Sequence, residues 1–217
     1  LRDLSDCRLY GILDLGYIGI ADCARVAGEM IEGGVDIIQL RGKNARLDQL
    51  VDLATELHEI MGSTPLIVND HAEIAKRVPV AGVHVGQDDD SIASVRADIG
   101  RPVIVGKSTH NLQQARAALA EGADYIGFGP LFATPTKPDY KPIGLSEIKQ
   151  VHVDLARPIF CIGGIKIDNL GEVIAAGARR VVIVSGLLQA QDIVDYARAA
   201  KRLLLDIEPQ TSNIKHS

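Results

Sequence analysis

Arg41, Lys43 and Lys137 stand just beyond short apolar runs, in a chain of 217 residues whose net charge is −5. Cations gathered locally in a net-acidic chain suit one anionic ligand, not general attraction to nucleic acid or to an anionic membrane. Asp70 and Asp89 end two further apolar runs. Carboxylates facing such cations suit Mg²⁺, a hard ion that takes one or two of them and fills its shell with water and phosphate oxygens. The same positions also suit helix N-caps, Asp70 for one helix and Asp88–Ser91 for the next. A second anion would fit Gly163-Gly164 and Ser185-Gly186, where bare backbone N–H groups and a helix N-terminus can meet a phosphate. Paired glycines also make plain tight turns. His84 reads either as a ligand contact or as a hydrogen-bonded core histidine.

These residues need a scaffold that brings them together, and the apolar pattern supplies one. Short β-branched runs at Leu9–Leu13, Ile37–Leu40, Leu66–Val68, Gly82–Val85, Val103–Val105, Tyr125–Gly129, Ile159–Ile162 and Val181–Val184 read as strands. Helical periodicity separates them, at about 20–33, 46–61, 71–77, 91–99, 111–121, 145–155, 168–176 and 190–205. Alternation of this kind implies a parallel sheet, and eight repeats imply closure. The expected fold is α/β, a single (β/α)8 TIM barrel over residues 1–205. A polar tail at 206–217 is expected to be disordered. Glu32-Gly33-Gly34, Glu121-Gly122-Ala123 and Ala176-Gly177-Ala178 each lead into an even-numbered strand, where glycine suits the left-handed end of a helix.

Active sites of such barrels lie at the C-terminal strand ends. Gln39, Arg41 and Lys43 follow the second strand, Asn69 and Asp70 the third, His84 and Asp89 the fourth, and Ser108, Thr109 and His110 the fifth. Thr134, Thr136 and Lys137 follow the sixth. Alternation puts Gln39 and Arg41 on one face and Ile38 and Leu40 on the other, so the polar face is expected to point inward. The connection from Pro130 to Gly144 holds four prolines and is long enough to act as a lid. No apolar run reaches membrane-spanning length, and Leu1–Asp6 is too polar for a signal peptide. Three cysteines without metal-ligand spacing read as reduced thiols of a cytoplasmic protein. No serine or cysteine is expected beside an activating base. The sequence leaves room for a homo-oligomer.

The motifs carry a family resemblance. Gly33-Gly34-Val35 through Gln39-Leu40-Arg41-Gly42-Lys43 resembles the QLREK region of thiamine phosphate synthases. Val68-Asn69-Asp70 is similar to their ND motif, and Gly82-Val83-His84-Val85-Gly86-Gln87-Asp88-Asp89 to their GVHLGQxD motif. Gly106-Lys107-Ser108-Thr109-His110, Gly127-Phe128-Gly129-Pro130 with Thr134-Pro135-Thr136-Lys137, Ile162-Gly163-Gly164-Ile165 and Val184-Ser185 follow in order. The similarity runs from about Leu9 to Leu205.

The resemblance implies an enzyme, a transferase. A thiazole phosphate would displace pyrophosphate from 4-amino-2-methyl-5-hydroxymethylpyrimidine diphosphate, through a dissociative path with a pyrimidine-stabilised carbocation. Asp70 and Asp89 would ligate Mg²⁺. Arg41, Lys43, Asn69, Ser108 and Lys137 would hold the pyrophosphate, with Lys137, Arg41 and Ser108 stabilising its departure. Gln39 and His84 would contact the pyrimidine; Thr134, Thr136, Gly164, Val184 and Ser185 would surround the thiazole phosphate. Two positions depart from the pattern: Gly42 stands where many relatives have Glu, and Lys107 where a small apolar residue is frequent. Alternation turns Lys107 away from the mouth. A thiazole tautomerase paralogue would need neither metal nor pyrophosphate clamp; the Asp70, Asp89 and Thr-Pro-Thr-Lys set argues against it, and His110 leaves it open. A non-catalytic phosphate-binding barrel is the other reading, since fold does not fix function.

Overall fold

The computed structural model describes residues 3–134 and 141–206. Eight strands, β1 (Leu9–Asp14), β2 (Ile37–Arg41), β3 (Leu66–Asn69), β4 (Gly82–Val85), β5 (Ile104–Thr109), β6 (Tyr125–Phe128), β7 (Ile159–Cys161) and β8 (Val181–Ile183), pair in parallel in chain order. The ring closes where β1 meets β8, Leu9 opposite Val181 and Gly11 opposite Ile183. The helices are α1 (Cys23–Glu32), α2 (Leu47–Ile60), α3 (Ala72–Arg77), α4 (Ile92–Ile99), α5 (Leu112–Ala120), α6 (Ile148–Asp154), α7 (Ile167–Ala175), α8 (Ser185–Leu188) and α9 (Ile193–Leu205).

Two apolar layers hold the barrel. Strand residues facing outward meet the helices; α1, for example, turns Cys23, Val26, Ala27 and Met30 inward, the spacing of one helical face. The opposite strand faces fill the interior with Tyr10, Ile12, Ile37, Ile67, Tyr125, Phe160 and Val182. Phe160 packs edge-on against Tyr10 and Tyr125, with ring centroids 5.4 and 5.6 Å away. Such edge-to-face contacts suit the ring quadrupoles. Glycine makes room for them: a Cβ on Gly106 would lie 2.1 Å from the Tyr125 ring.

Glycine also ends helices as the repeat implied. Gly34, Gly122 and Gly177 have φ of 92°, 93° and 109°, before β2, β6 and β8. At the N-terminal end of the barrel, buried Asp36 accepts hydrogen bonds from the N–H groups of Arg8 and Leu9 at 2.8 and 3.0 Å, and pairs with Lys201 of α9.

Most element ends shift by one to three residues from the pattern of the sequence, and three differences have a plain physical reason. The segment 20–33 starts as a 3₁₀ turn, Ile20–Asp22, before α1. β5 extends through Thr109, because Lys107 and Ser108 pair with Ile126 and Gly127 of β6; their polarity resembled a loop, but the neighbouring ladder holds them extended. α8 has four residues, too few for an apolar period to show. The 206–217 tail falls, beyond Asp206, outside the described residues, as do Thr136 and Lys137. No helix among the described residues is long and apolar enough to cross a membrane.

Candidate active site

One cavity opens at the C-terminal ends of the strands, and every strand or the loop after it contributes to its wall. From β2, β3, β4 and β5 come Gln39, Arg41, Asn69, His84 and Ser108; from beyond β6, β7 and β8 come Thr134, Gly164, Val184 and Ser185. Gly163 and Gly164 adopt φ of 99° and 66°, left-handed conformations that glycine takes without strain. Ser185 opens α8, and the first N–H groups of a helix have no partner within it. The turn after β7 and the start of α8 therefore share one wall, as a phosphate site requires.

Lys43, Asp70 and Asp89 do not line this cavity. Lys43 is exposed in a neighbouring cleft whose wall also includes Asp14 and Arg41. Asp70 and Asp89 are exposed at the ends of adjacent strands. Asp70 does not cap a helix, since His71 occupies the N-cap of α3, but the segment Asp88–Ser91 does, through Ser91, whose side chain accepts the Ser94 N–H at the start of α4. Asp89 instead accepts the Gly86 N–H at 2.6 Å. Asp70 has φ of 63°, a left-handed conformation rare outside glycine, of the kind that accumulates at functional sites. Among the described residues no group of three or more His, Cys, Asp or Glu could hold a metal ion.

Arg41 is already paired. Its guanidinium meets Asp14 at 2.5 Å, and both side chains are largely buried. A guanidinium carries five donors, so one bond leaves others for an anion. Asp14, like Tyr10 and Tyr125, lines the cavity and was overlooked from sequence. The signal was present: Tyr10, Ile12 and Asp14 alternate inward by the rule that exposed Gln39 and Arg41. Lys107 points the other way, its ammonium 2.6 Å from Glu121.

The centre of the cavity is a continuous hydrogen-bonded row. Gln39 Nε2 donates to the Tyr10 hydroxyl at 2.8 Å, which lies 3.0 Å from the Tyr125 hydroxyl. Tyr125 lies 3.0 Å from His84 Nδ1, and His84 Nε2 lies 2.9 Å from Ser108 Oγ. Burial raises both phenol pKa values well above the usual tyrosine range, so both keep their protons. The Ser108–His84 contact corrects an expectation: a serine does stand beside an imidazole. Strand register hid it, since β4 and β5 set His84 opposite Gly106, and Ser108 two residues beyond. Cys161 offers no alternative nucleophile, because burial pushes its thiol up to about 12.

Residues 9–187 match the family model described as thiamine monophosphate synthase. The chain belongs to that family. It is 40% identical over 207 residues to the thiamine-phosphate synthase of Chloroflexus aurantiacus, covering 94% of this chain and 95% of that one. A second thiamine-phosphate synthase, from Halalkalibacterium halodurans, is 39% identical over 193 residues, covering 88% and 92%. Among solved structures, thiamine phosphate pyrophosphorylase from Pyrococcus furiosus superposes with a TM-score of 0.85 at 27% identity, covering 95% of this chain and 99% of that one. The cavity lies within the matched span, since its wall runs from Tyr10 to Ser185.

Proposed function

We propose that this chain is a cytoplasmic thiamine phosphate synthase, which joins 4-amino-2-methyl-5-hydroxymethylpyrimidine diphosphate to a thiazole phosphate and releases pyrophosphate. The observation that carries the reading is the cavity itself, in a chain of this family. One mouth joins a polar centre of Gln39, His84 and Ser108 to the glycine-rich ends of β7 and β8. That arrangement suits two ligands side by side, a heterocycle with a diphosphate and a smaller phosphate ester. The three cysteines are buried and outside any disulfide among the described residues, which agrees with a reducing compartment.

The chain's own groups do three things in this reading. Gln39 and His84 orient the pyrimidine. Arg41 and Ser108, with Lys137 by motif, meet the charge that grows on the departing diphosphate. The backbone at Gly164 and Ser185, with Thr134 and Thr136, holds the thiazole phosphate so that its ring nitrogen faces the carbon being released. Positioning and charge neutralisation account for such a displacement, in which the leaving group departs first. Mg²⁺, when bound, would neutralise diphosphate oxygens. The two exposed carboxylates of Asp70 and Asp89 are the hard oxygen donors it takes, and they would leave most of its shell to water and substrate.

Mixing the two substrates with Mg²⁺ and the purified chain, and following thiamine phosphate and pyrophosphate by chromatography, tests the proposal. Both products are expected in equal amounts. Release of pyrophosphate without thiamine phosphate, or isomerisation of a thiazole phosphate alone, would replace this reading. Lys137→Ala is expected to lower kcat about 10²-fold, the scale of losing one preorganised charge-stabilising group.

A further inference from the structure

The contact between Ser108 and His84 has two opposite chemical meanings. If His84 Nε2 accepts the Ser108 proton, the pair is a base and its nucleophile. If Nε2 carries a hydrogen, the pair is a fixed donor, and the serine proton is turned outward. Distance alone does not separate them, but the rest of the row does.

We infer that Tyr10 is a positioning residue. With Gln39 and Tyr125 it forms a one-way hydrogen-bond chain that holds His84 as the Nε2–H tautomer and makes Ser108 a hydrogen donor to the bound substrate. Each link follows from the one before. The Gln39 amide donates to Tyr10 oxygen, so the Tyr10 proton goes to its remaining partner, Tyr125. Tyr125 keeps its own proton and directs it at His84 Nδ1, which must then be unprotonated. The neutral ring carries its hydrogen on Nε2 and donates it to Ser108 Oγ. The serine O–H is left to face the cavity. The bond to Tyr10 fixes the amide orientation, and so fixes which end is Gln39 Oε1, the acceptor, with one Nε2 hydrogen held by Tyr10.

The consequence is a sorted polarity in the wall: an acceptor at Gln39 and a donor at Ser108. An aminopyrimidine that carries a diphosphate presents the complement, amine hydrogens for the first and ring or phosphate acceptors for the second. This assignment of the ligand rests on the proposed reaction; the tautomer does not. The inference also predicts that Ser108 forms no covalent intermediate.

The decisive measurement is the ¹⁵N spectrum of histidine-labelled, ligand-free protein at neutral pH, with His84→Asn used to assign the signals. A protonated Nε2 and an unprotonated Nδ1 are expected. Gln39→Glu replaces the amide donor by an acceptor, so it should reverse every link and move the hydrogen to Nδ1. Tyr10→Phe cuts the chain, and should give a tautomer mixture with kcat lowered about tenfold, the scale of one hydrogen bond. The KM for thiazole phosphate should stay within twofold in that variant. A wild-type ring with Nδ1–H, or a Ser108 carrying the pyrimidinylmethyl group as an ether after release of pyrophosphate, trapped by mass spectrometry, overturns the inference. If Tyr10→Phe does not fold, the wild-type spectrum and Gln39→Glu still decide. Absence of thiamine phosphate with the expected tautomer would sink the proposed reaction and leave the chain of hydrogen bonds standing.

Discussion

Asp14 and Arg41 meet at the rim of the cavity with little solvent around either side chain. Removing one partner of such a pair leaves a charge without compensation, which costs more than the pair contributes. Asp14→Asn is therefore expected to lower stability by on the order of 3 kcal/mol in urea denaturation. Asp89 allows a cleaner substitution: Asn keeps an oxygen for the Gly86 N–H and removes only the charge. We expect Asp89→Asn to raise KM for the pyrimidine diphosphate about tenfold or more, with KM for thiazole phosphate unchanged, and chelator to abolish turnover in wild type. Full activity in excess chelator would remove the metal from the proposal. His152 lies at the far end of the barrel, and its burial makes it a site where stability is expected to depend on pH. Burial lowers its pKa, and the positive charges of Arg179 and Arg180 add to the effect. The folded state thus binds a proton less readily than the unfolded chain, so stability is lost as pH falls below the ordinary histidine value of about 6.5. Urea midpoints at pH 7.5 and 5.5 should differ less in His152→Gln than in wild type.

At the scale of elements, the junction before an even-numbered strand recurs three times with glycine in the left-handed region. Around Gly122 there is nothing within 4 Å of an added Cβ, so a substitution there tests backbone conformation and not packing. Gly122→Ala should cost about 1–2 kcal/mol, with kcat unaltered, because the junction lies away from the cavity. A stability equal to wild type would show that the junction relaxes. These junctions, the eight strands and the inward face of β2 were all readable from sequence, because period and glycine placement are local signals. Tyr10, Asp14 and Tyr125 were open to the same alternation argument, but a tyrosine or an aspartate in an apolar run reads first as a strand filler or a strand end. The Ser108–His84 contact was out of reach, since residues 24 apart meet only through the register of β4 with β5. The metal reading of Asp70 and Asp89 rests on carboxylates facing cations and on motif order, while the left-handed turn at Asp70 and the Gly86 contact of Asp89 appear only in three dimensions.

Across the whole molecule, the two ends of the barrel divide their tasks. The C-terminal end gathers the polar row; the N-terminal end ties the chain together through Asp36, which joins the start of β1 to α9. Asp36→Ala removes an acceptor from two N–H groups and the partner of Lys201, so a loss of about 3 kcal/mol or more is expected. Molecules that remain folded should keep wild-type KM values, because Asp36 precedes β2 and the cavity follows it. A changed KM with unchanged stability would show that the two ends are not independent.

The seam between β1 and β8 has a further consequence, for the order in which the molecule comes into being. The cavity wall reaches from Tyr10 to Ser185, so no shorter stretch of chain owns a complete pocket. A nascent chain that has emerged only as far as β6 has no seam, and its first and newest strands each offer an open row of backbone groups. Parallel pairing over such separations is slow, and open rows recruit strands from other chains. The strands most exposed to wrong partners during synthesis are then those that meet last, and variants that slow the arrival of β7 and β8 are expected to aggregate before they lose activity.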